Sequence, residues 1–191
     1  MTTLAPTTYV TMGGGGFSMN DGASAFDRYI VELSGRQSPR VCFVGTASGD
    51  AESYIENFHA SFGGLGVPTT HLSLFQRDEV PIAEHLDRAD ILYVGGGSTY
   101  NLLALWRLHG WLPGSACPHF DGEAARRPVY LDAISGGILP DGLAIDDYAA
   151  VEFQDGKLVR CLAEREGAGV TRIVRSGDGV VEEQLAVTYL P

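Results

Sequence analysis

The sequence has no long hydrophobic run and few cysteines, and each absence excludes a class of protein. No stretch of about 18 consecutive apolar residues occurs, so we predict no transmembrane helix and no membrane partner. The N-terminal segment lacks the basic and apolar stretches that are typical of a signal peptide. The 3 cysteines show no CxxC spacing, which favours reduced thiols and a cytoplasmic location.

Basic residues are also few, and their scarcity argues against polyanionic partners. The chain has 13 Lys and Arg against 24 Asp and Glu, which gives a formal net charge of −11 at pH 7. No basic cluster is present that would displace counterions from phosphates, so we do not expect nucleic acid as a partner. With 45% hydrophobic residues, the 191-residue chain is typical of a single globular domain, residues 1–191.

The common phosphate-binding motifs are missing as well. No GK[ST] sequence occurs, which excludes a P-loop. The glycine run at 13–16 departs from a dinucleotide-binding turn, because Ser18 stands at the position of the third glycine. In addition, no helix begins directly after the glycines. We therefore interpret this run as a loop that follows a strand.

The remaining pattern alternates between strands and helices. Apolar runs predict strands at 8–12, 41–48, 71–75 and 90–94. Helical periodicity predicts helices around 25–33, 54–62, 82–86 and 100–108. This order indicates an α/β fold with a mostly parallel sheet flanked by helices. Polar residues before each helix predict the caps, namely Asn20 or Asp21, Asp50, and Ser98 or Thr99.

The C-terminal part has a different pattern, with short strands joined by tight turns. One strand pair is predicted around the Asp155–Gly156 turn and a second around 177–179. We expect these antiparallel strands at the edge of the parallel sheet, within the same domain.

Three loops follow predicted strands, at 13–17, 46–50 and 95–99, and we expect them at one edge of the sheet. The last reads GGGST before a helix. Glycines allow a ligand to approach the backbone closely, and a helix start offers free N–H groups. A tight turn with a Ser or Thr cap explains the same pattern without any ligand.

His119 is the other candidate, in the loop GSACPHFDGE. A neighbouring carboxylate, Asp121 or Glu123, would orient the ring as a general base. The same three side chains suit a metal ion, but no second histidine lies at ligand spacing, so we predict no metal. A solvated loop histidine is the alternative without a function.

A serine nucleophile is what the sequence does not supply. The elbow pattern G-x-S-x-G between a strand and a helix does not occur. Ser115 follows no strand, and Ser135 ends a predicted helix for which Gly136 and Gly137 are the C-cap. Cys117, which also follows no strand, is interpreted as a packing or loop residue.

Four segments, taken in order, resemble the peptidase E family of serine peptidases, which is related to cyanophycinase. They are MGGGGFSM, VCFVGTASGDAESYI, YVGGGSTYNLLALWR and PGSACPHFDGEAARRPVY. The resemblance implies a fold like that of class I glutamine amidotransferases, a small peptide substrate, dipeptidase activity and no cofactor. It also implies site residues, with His119 as general base, Gly97 as an oxyanion N–H donor, and Gly96, Ser98 and Thr99 near the substrate.

Two further residues, Arg126 and Arg127, follow the histidine loop, and we expect them to hold a substrate carboxylate. The resemblance breaks at 110–111, where family members carry a further strand, the serine elbow and a loop bearing the triad acid. Such a unit takes roughly 30 residues. We therefore expect little peptidase activity, unless the elbow exists unseen or Ser115 or Ser135 substitutes. A homodimer that compensates for the deletion, and a non-catalytic ligand-binding protein, are the alternatives.

Overall fold

The structure is a computed structural model that describes residues 7–75, 81–98, 101–102, 105 and 116–190. The chain divides into two compact units. The central unit comprises residues 16–113, and the split unit comprises residues 1–15 and 114–191. A single domain over 1–191 stays a prediction.

The described residues form strands and α-helices in both units. The strands are β1 (Thr8–Met12), β2 (Val41–Val44), β3 (Thr69–Leu72), β4 (Ile91–Val94), β5 (Ala116–Cys117), β6 (Gly142–Ile145), β7 (Ala149–Gln154), β8 (Lys157–Ala163), β9 (Val170–Ser176), β10 (Gly179–Leu185) and β11 (Val187–Tyr189). The helices are α1 (Ala25–Leu33), α2 (Glu52–Gly64), α3 (Ile82–Asp87) and α4 (Arg126–Ser135). No helix among the described residues is long and apolar enough to cross a membrane.

The central unit contains the parallel sheet that the sequence predicts. Its strand order is β3-β2-β4, and β2 pairs in parallel with both neighbours. Every residue of β2 is buried, as expected for a continuous apolar run that is covered on both faces. The predicted strand 41–48 is shorter than expected, because a single turn of 3-10 helix at Thr46–Ser48 replaces its second half.

Aromatic side chains form the core of the central unit. Phe17 is fully buried, and its ring centroid lies 6.0 Å from that of Phe43 and 5.7 Å from that of Phe58. Phe43 and Phe58 stack at 4.9 Å, and Phe62 lies 4.8 Å from Phe58. Rings at these separations stabilise the core beyond the area that they bury.

The predicted cap of α1 is wrong. Ser24, and not Asn20 or Asp21, is the N-cap. Its side chain accepts a hydrogen bond from the Asp27 backbone N–H at 3.2 Å, and the Asp27 carboxylate accepts the Ser24 N–H at 2.8 Å. This reciprocal capping box satisfies two N–H groups that have no partner within the helix.

The predicted cap of α2 is also wrong. Asp50 precedes the N-cap residue Ala51 and is buried, with a φ of 57°. Its Oδ2 atom accepts the backbone N–H groups of Leu74 and Phe75 at 2.6 and 2.7 Å. Asp50 therefore joins the turn after β2 to the chain after β3, and this contact lies where the sequence predicted strand 71–75 to continue.

The split unit contains two four-stranded sheets. Their strand orders are β1-β7-β8-β11 and β10-β9-β6-β5. The strand β1 pairs antiparallel with β7, so its predicted place in the parallel sheet is wrong. The described C-terminal strands form two sheets together with β1 and β5, and none of them pairs with β2, β3 or β4. The α/β class is confirmed, but parallel pairing accounts for only half of the described strand pairs.

Both predicted C-terminal turns are present. Asp155 and Gly156 have positive φ angles, 48° and 75°, and connect β7 to β8. Such angles match the right-handed twist of a hairpin, and glycine adopts them without strain. The strands β9 and β10 form the second pair, with Gly179 opposite Ser176.

The helix α4 packs onto the second sheet of the split unit. Tyr130 and Ile134 are buried in one apolar cluster with Ala144 of β6 and Ile173 of β9. The helix ends at Ser135 with Gly136 as its C-cap, which confirms the helical interpretation of this segment.

Candidate active site

The pairing of β5 with β6 determines where the predicted histidine lies. These strands are parallel neighbours in the split unit, so their carboxyl ends meet at one edge. His119 follows β5 and Asp147 follows β6. The sheet therefore brings together two side chains that are 28 residues apart in the chain.

His119 has a backbone conformation that is uncommon for a residue with a side chain. Its φ is +53°, in the left-handed region. The conformation is held by two hydrogen bonds, from the His119 N–H to the Gly13 carbonyl at 2.7 Å and from the Phe120 N–H to the Ile145 carbonyl at 3.2 Å. Such backbone strain is often found at functional sites.

The His119 ring pairs with Asp147. The Nδ1 atom lies 2.5 Å from Oδ1 of Asp147, and the two side chains are 36% and 21% exposed. A hydrogen bond between imidazole and carboxylate fixes the ring orientation and favours the proton on Nδ1. The absence of the triad acid stays a prediction, although the ring has an acidic partner in Asp147.

The carboxylates that the sequence favoured have other partners. Oδ1 of Asp121 accepts the backbone N–H of Asp147 at 2.8 Å, so Asp121 holds the loop and not the ring. Glu123 pairs with Arg126 at 2.8 Å, and this hydrogen bond lowers the pKa of the Glu123 carboxyl group. The predicted orienting role of Asp121 and Glu123 is corrected to Asp147.

Glycines surround the His119–Asp147 pair. A Cβ atom at Gly14 would lie 3.1 Å from Cε1 and Nδ1 of His119 and closer still to Asp147 Oδ1. One at Gly122 would lie 2.5 Å from Asp147 Oδ2, and one at Gly13 would overlap the carbonyl of Asp146. These positions exclude side chains, which explains part of the glycine run at 13–16.

The surroundings of the pair are acidic. Burial is the main cause that raises the pKa of Asp146, and the neighbouring charges of Asp121 and Asp147 add to it. Oδ2 of Asp146 accepts the N–H of Gly169 at 3.0 Å. No group of three His, Cys, Asp or Glu side chains suited to a metal ion occurs in the part of the chain that the structure describes.

The GGGST loop lies in the central unit, against the turn that follows β2. The Ser98 N–H donates to the Ala47 carbonyl at 2.7 Å. Gly97 has a φ of 140°, and a Cβ there would lie 2.5 Å from the same carbonyl oxygen, so this position requires glycine. Two of the loops expected at one edge, 46–50 and 95–99, are therefore neighbours. Gly97 as an oxyanion donor stays a prediction.

The other residues of this loop are placed as follows. Ser98 Oγ accepts the Asn101 N–H at 3.4 Å, as expected of a helix N-cap. Gly96 donates its N–H to the Tyr54 hydroxyl at 3.3 Å, and a Cβ there would meet nothing within 4 Å. Thr99 lies outside the described residues.

The two predicted carboxylate-binding arginines already have partners within the split unit. Arg126 donates to the Pro118 carbonyl at 3.2 Å besides its pair with Glu123. Arg127 pairs with Glu182 at 2.8 Å, and its guanidinium carbon lies 5.3 Å from the centre of the Phe120 ring. Their role in substrate binding stays a prediction.

None of the described candidate nucleophiles has the geometry of a serine elbow. Ser135 is the last residue of α4, and its Oγ donates to the Asp132 carbonyl at 3.1 Å. Cys117 is buried in β5, and burial is the main cause that raises the pKa of its thiol, which disfavours the reactive thiolate. Ser115 and the predicted deletion at 110–111 lie outside the described residues.

A small apolar cavity of about 220 Å³ lies beside the histidine loop within the split unit. Cys117 and Arg126 line it together with Val129, Tyr130, Ala133 and Leu139 of the adjoining helix and loop. Arg126 also contacts the carbonyl of Pro118, next to His119, so the cavity and the histidine share one loop.

Sequence reasoning missed Asp147, although a signal for it was present. The residues Asp146 and Asp147 directly follow the apolar run of β6, at the carboxyl end of a strand. That is where site residues of α/β folds are found. The same segment also fits the start of the antiparallel part, and the carboxylates next to His119 in sequence are the more obvious partners.

Comparison with known proteins agrees with the sequence motifs. Residues 9–112 match the family described as Peptidase family S51. The chain is 35% identical over 225 residues to "Uncharacterized peptidase YgaJ" of Bacillus subtilis (strain 168), with 95% of this chain and 98% of that protein covered. It also shares its fold with a crystallised peptidase from an acI-B1 Actinobacterium, at 13% identity, a TM-score of 0.66 and 95% coverage of both chains. The resemblance noted from the motifs is thus confirmed, and this chain belongs to peptidase family S51.

Proposed function

We propose that this chain keeps the base and the acid of a serine-peptidase site but lacks the serine nucleophile, and therefore cleaves peptides slowly or not at all. The observation that carries the proposal is the His119–Asp147 hydrogen bond of 2.5 Å in a chain whose sequence contains no G-x-S-x-G elbow. The substrate class that we propose is a small peptide, of dipeptide size, and the proposed location is the cytoplasm.

The pair has the features that a general base needs. Asp147 fixes Nδ1, so the Nε2 atom of His119 is the nitrogen left to take a proton from a hydroxyl group. No serine among the described residues lies in an elbow that would supply this hydroxyl group. Loss of the nucleophile of a triad lowers kcat by roughly 10⁶-fold.

Two findings from the comparisons support an internal deletion. The family match ends at residue 112, next to the proposed deletion at 110–111. The 225 aligned positions of the relative also exceed the 191 residues of this chain, so the relative carries positions that face no residue here. Both are expected if the serine elbow has been lost.

A fluorophosphonate probe tests the proposal directly, since it labels activated serines covalently. The protein is first checked by intact mass, for which we expect 20.4 kDa. We then expect no labelling and no hydrolysis of Asp-X dipeptides above background. The control is Ser176→Ala, at an exposed serine of β9. Labelling that persists in this control but is lost in Ser115→Ala or Ser135→Ala would contradict the proposal and identify a substitute nucleophile.

A further inference from the structure

We infer that the His119–Asp147 pair activates water directly and gives the chain a weak esterase activity on neutral activated esters, without an acyl-enzyme. The inference rests on the proposed function, because it requires that no serine stands between the base and the substrate. It differs from that function in the nucleophile, in the substrate class and in the kinetics.

The hydrogen bond determines which ring nitrogen acts. Asp147 Oδ1 occupies Nδ1 at 2.5 Å, and Nε2 of His119 has no protein partner among the described residues. An ionised aspartate holds the ring proton on Nδ1, which leaves the Nε2 lone pair as the base. The tautomer that a general base requires is thus selected by the structure.

Water reaches this base. The His119 side chain is 36% exposed. A hydroxyl-bearing residue would ordinarily displace solvent from Nε2. No described residue occupies Nε2 in this way, so a water molecule is the nucleophile that we assign to it.

The charges and the cavity define the substrate class. Asp147 pairs with the ring, Asp121 and Asp146 lie close to Asp147, and Arg126 at the start of α4 is paired with Glu123. An anionic acyl group is therefore disfavoured. The apolar pocket of about 220 Å³, which Cys117 lines two residues before His119, suits a short neutral acyl chain instead.

The reaction balances without any further reagent. Nε2 takes a proton from water while the water oxygen bonds to the ester carbonyl carbon. The tetrahedral adduct then breaks its bond to the leaving group, which departs as p-nitrophenolate when that ester is used. The Nε2 proton passes to solvent, and the products are the carboxylic acid and p-nitrophenolate.

The test uses the full chain with p-nitrophenyl acetate. We expect steady hydrolysis without a burst of p-nitrophenolate, and a rate about two- to threefold slower in D₂O, because a proton moves in the limiting step. His119→Gln should remove the activity, and Asp147→Asn should lower it at least tenfold. His85→Gln, in α3, is the matched control and should leave it unchanged. The anionic p-nitrophenyl hemisuccinate should react more slowly than the acetate.

The outcomes separate the inference from the proposed function. A burst together with fluorophosphonate labelling would overturn both, since it reveals a serine nucleophile. If the unmodified chain were no more active than His119→Gln, and circular dichroism showed that both proteins are folded, the inference alone would be overturned. A rate that is equal in H₂O and D₂O would also overturn it, because the imidazole would then attack the ester itself.

Discussion

Replacing Gly14 with alanine tests whether the glycine run holds the His119–Asp147 pair. The new Cβ would lie 3.1 Å from Cε1 and Nδ1 of His119 and closer to Asp147 Oδ1. Both side chains belong to one hydrogen bond, so relief of the clash requires that at least one of them moves. The backbone of Gly14 does not demand glycine, since its φ lies outside the left-handed region. The effect of Gly14→Ala is therefore purely steric.

The expected cost follows from overpacking. Inserting a methyl group into a filled site costs about 1–3 kcal/mol. Separation of the pair adds to this, because a hydrogen bond to a charged group contributes about 1.5–3 kcal/mol. We expect the free energy of unfolding to fall by about 2–4 kcal/mol. Part of the steric cost is avoided because the partly exposed His119 ring can move away from the new methyl group.

Urea unfolding and proton NMR measure the two parts separately. The denaturation midpoint reports the stability, and the low-field resonance of the His119 Nδ1–H reports the hydrogen bond. Gly96→Ala is the control, because a Cβ there meets nothing within 4 Å. If Gly14→Ala kept both the midpoint and the resonance, the glycine run would not be explained by the histidine–aspartate pair.

Three further predictions concern stability. Asp50→Ala removes the acceptor of two backbone N–H groups and places alanine at a φ of 57°, so we expect a loss of about 2–4 kcal/mol in urea unfolding, partly restored by Asp50→Asn. Ser24→Ala removes a helix cap and should cost about 1 kcal/mol by the same assay. Burial, and secondarily the charge of His71, lowers the pKa of His59. At a pH between this lowered pKa and the ordinary one, His59 binds a proton more readily in the unfolded chain than in the folded chain. Stability should fall as the pH drops below the ordinary range of histidine, and His59→Gln should flatten that dependence in unfolding curves at pH 5 and 8.

The sequence predicts the elements better than their partners. The apolar runs locate β1, β2 and β4 to within a few residues, because burial on one or both faces leaves a local pattern. The identity of the strand that pairs with β1 leaves no such local pattern in the sequence. Its residues pair with β7, so Thr8 faces Gln154 across the sheet. A pattern that shows which face is buried contains no information on which strand lies beside it.

In the site, too, the sequence predicts a residue but not its partner. The composition of its loop identifies His119, but the predicted partner depends on sequence distance alone. Asp121, only two residues away, accepts a backbone N–H of the Asp147 loop and does not reach the ring nitrogen. His119 has a positive φ, a conformation that is uncommon enough for residues with a side chain that the sequence alone does not indicate it here.

The glycine run links the strand pairing to the site. As a motif, Gly13–Gly16 resembles phosphate-binding turns but lacks their spacing. In the structure its first two residues are fixed by what lies opposite. Gly13 accepts the His119 N–H and faces the Asp146 carbonyl, and Gly14 faces the ring and the carboxylate. The glycines of the run thus leave room for the base and the acid, which lie more than a hundred residues further along the chain. These positions therefore require glycine whether the base activates a serine or a water molecule.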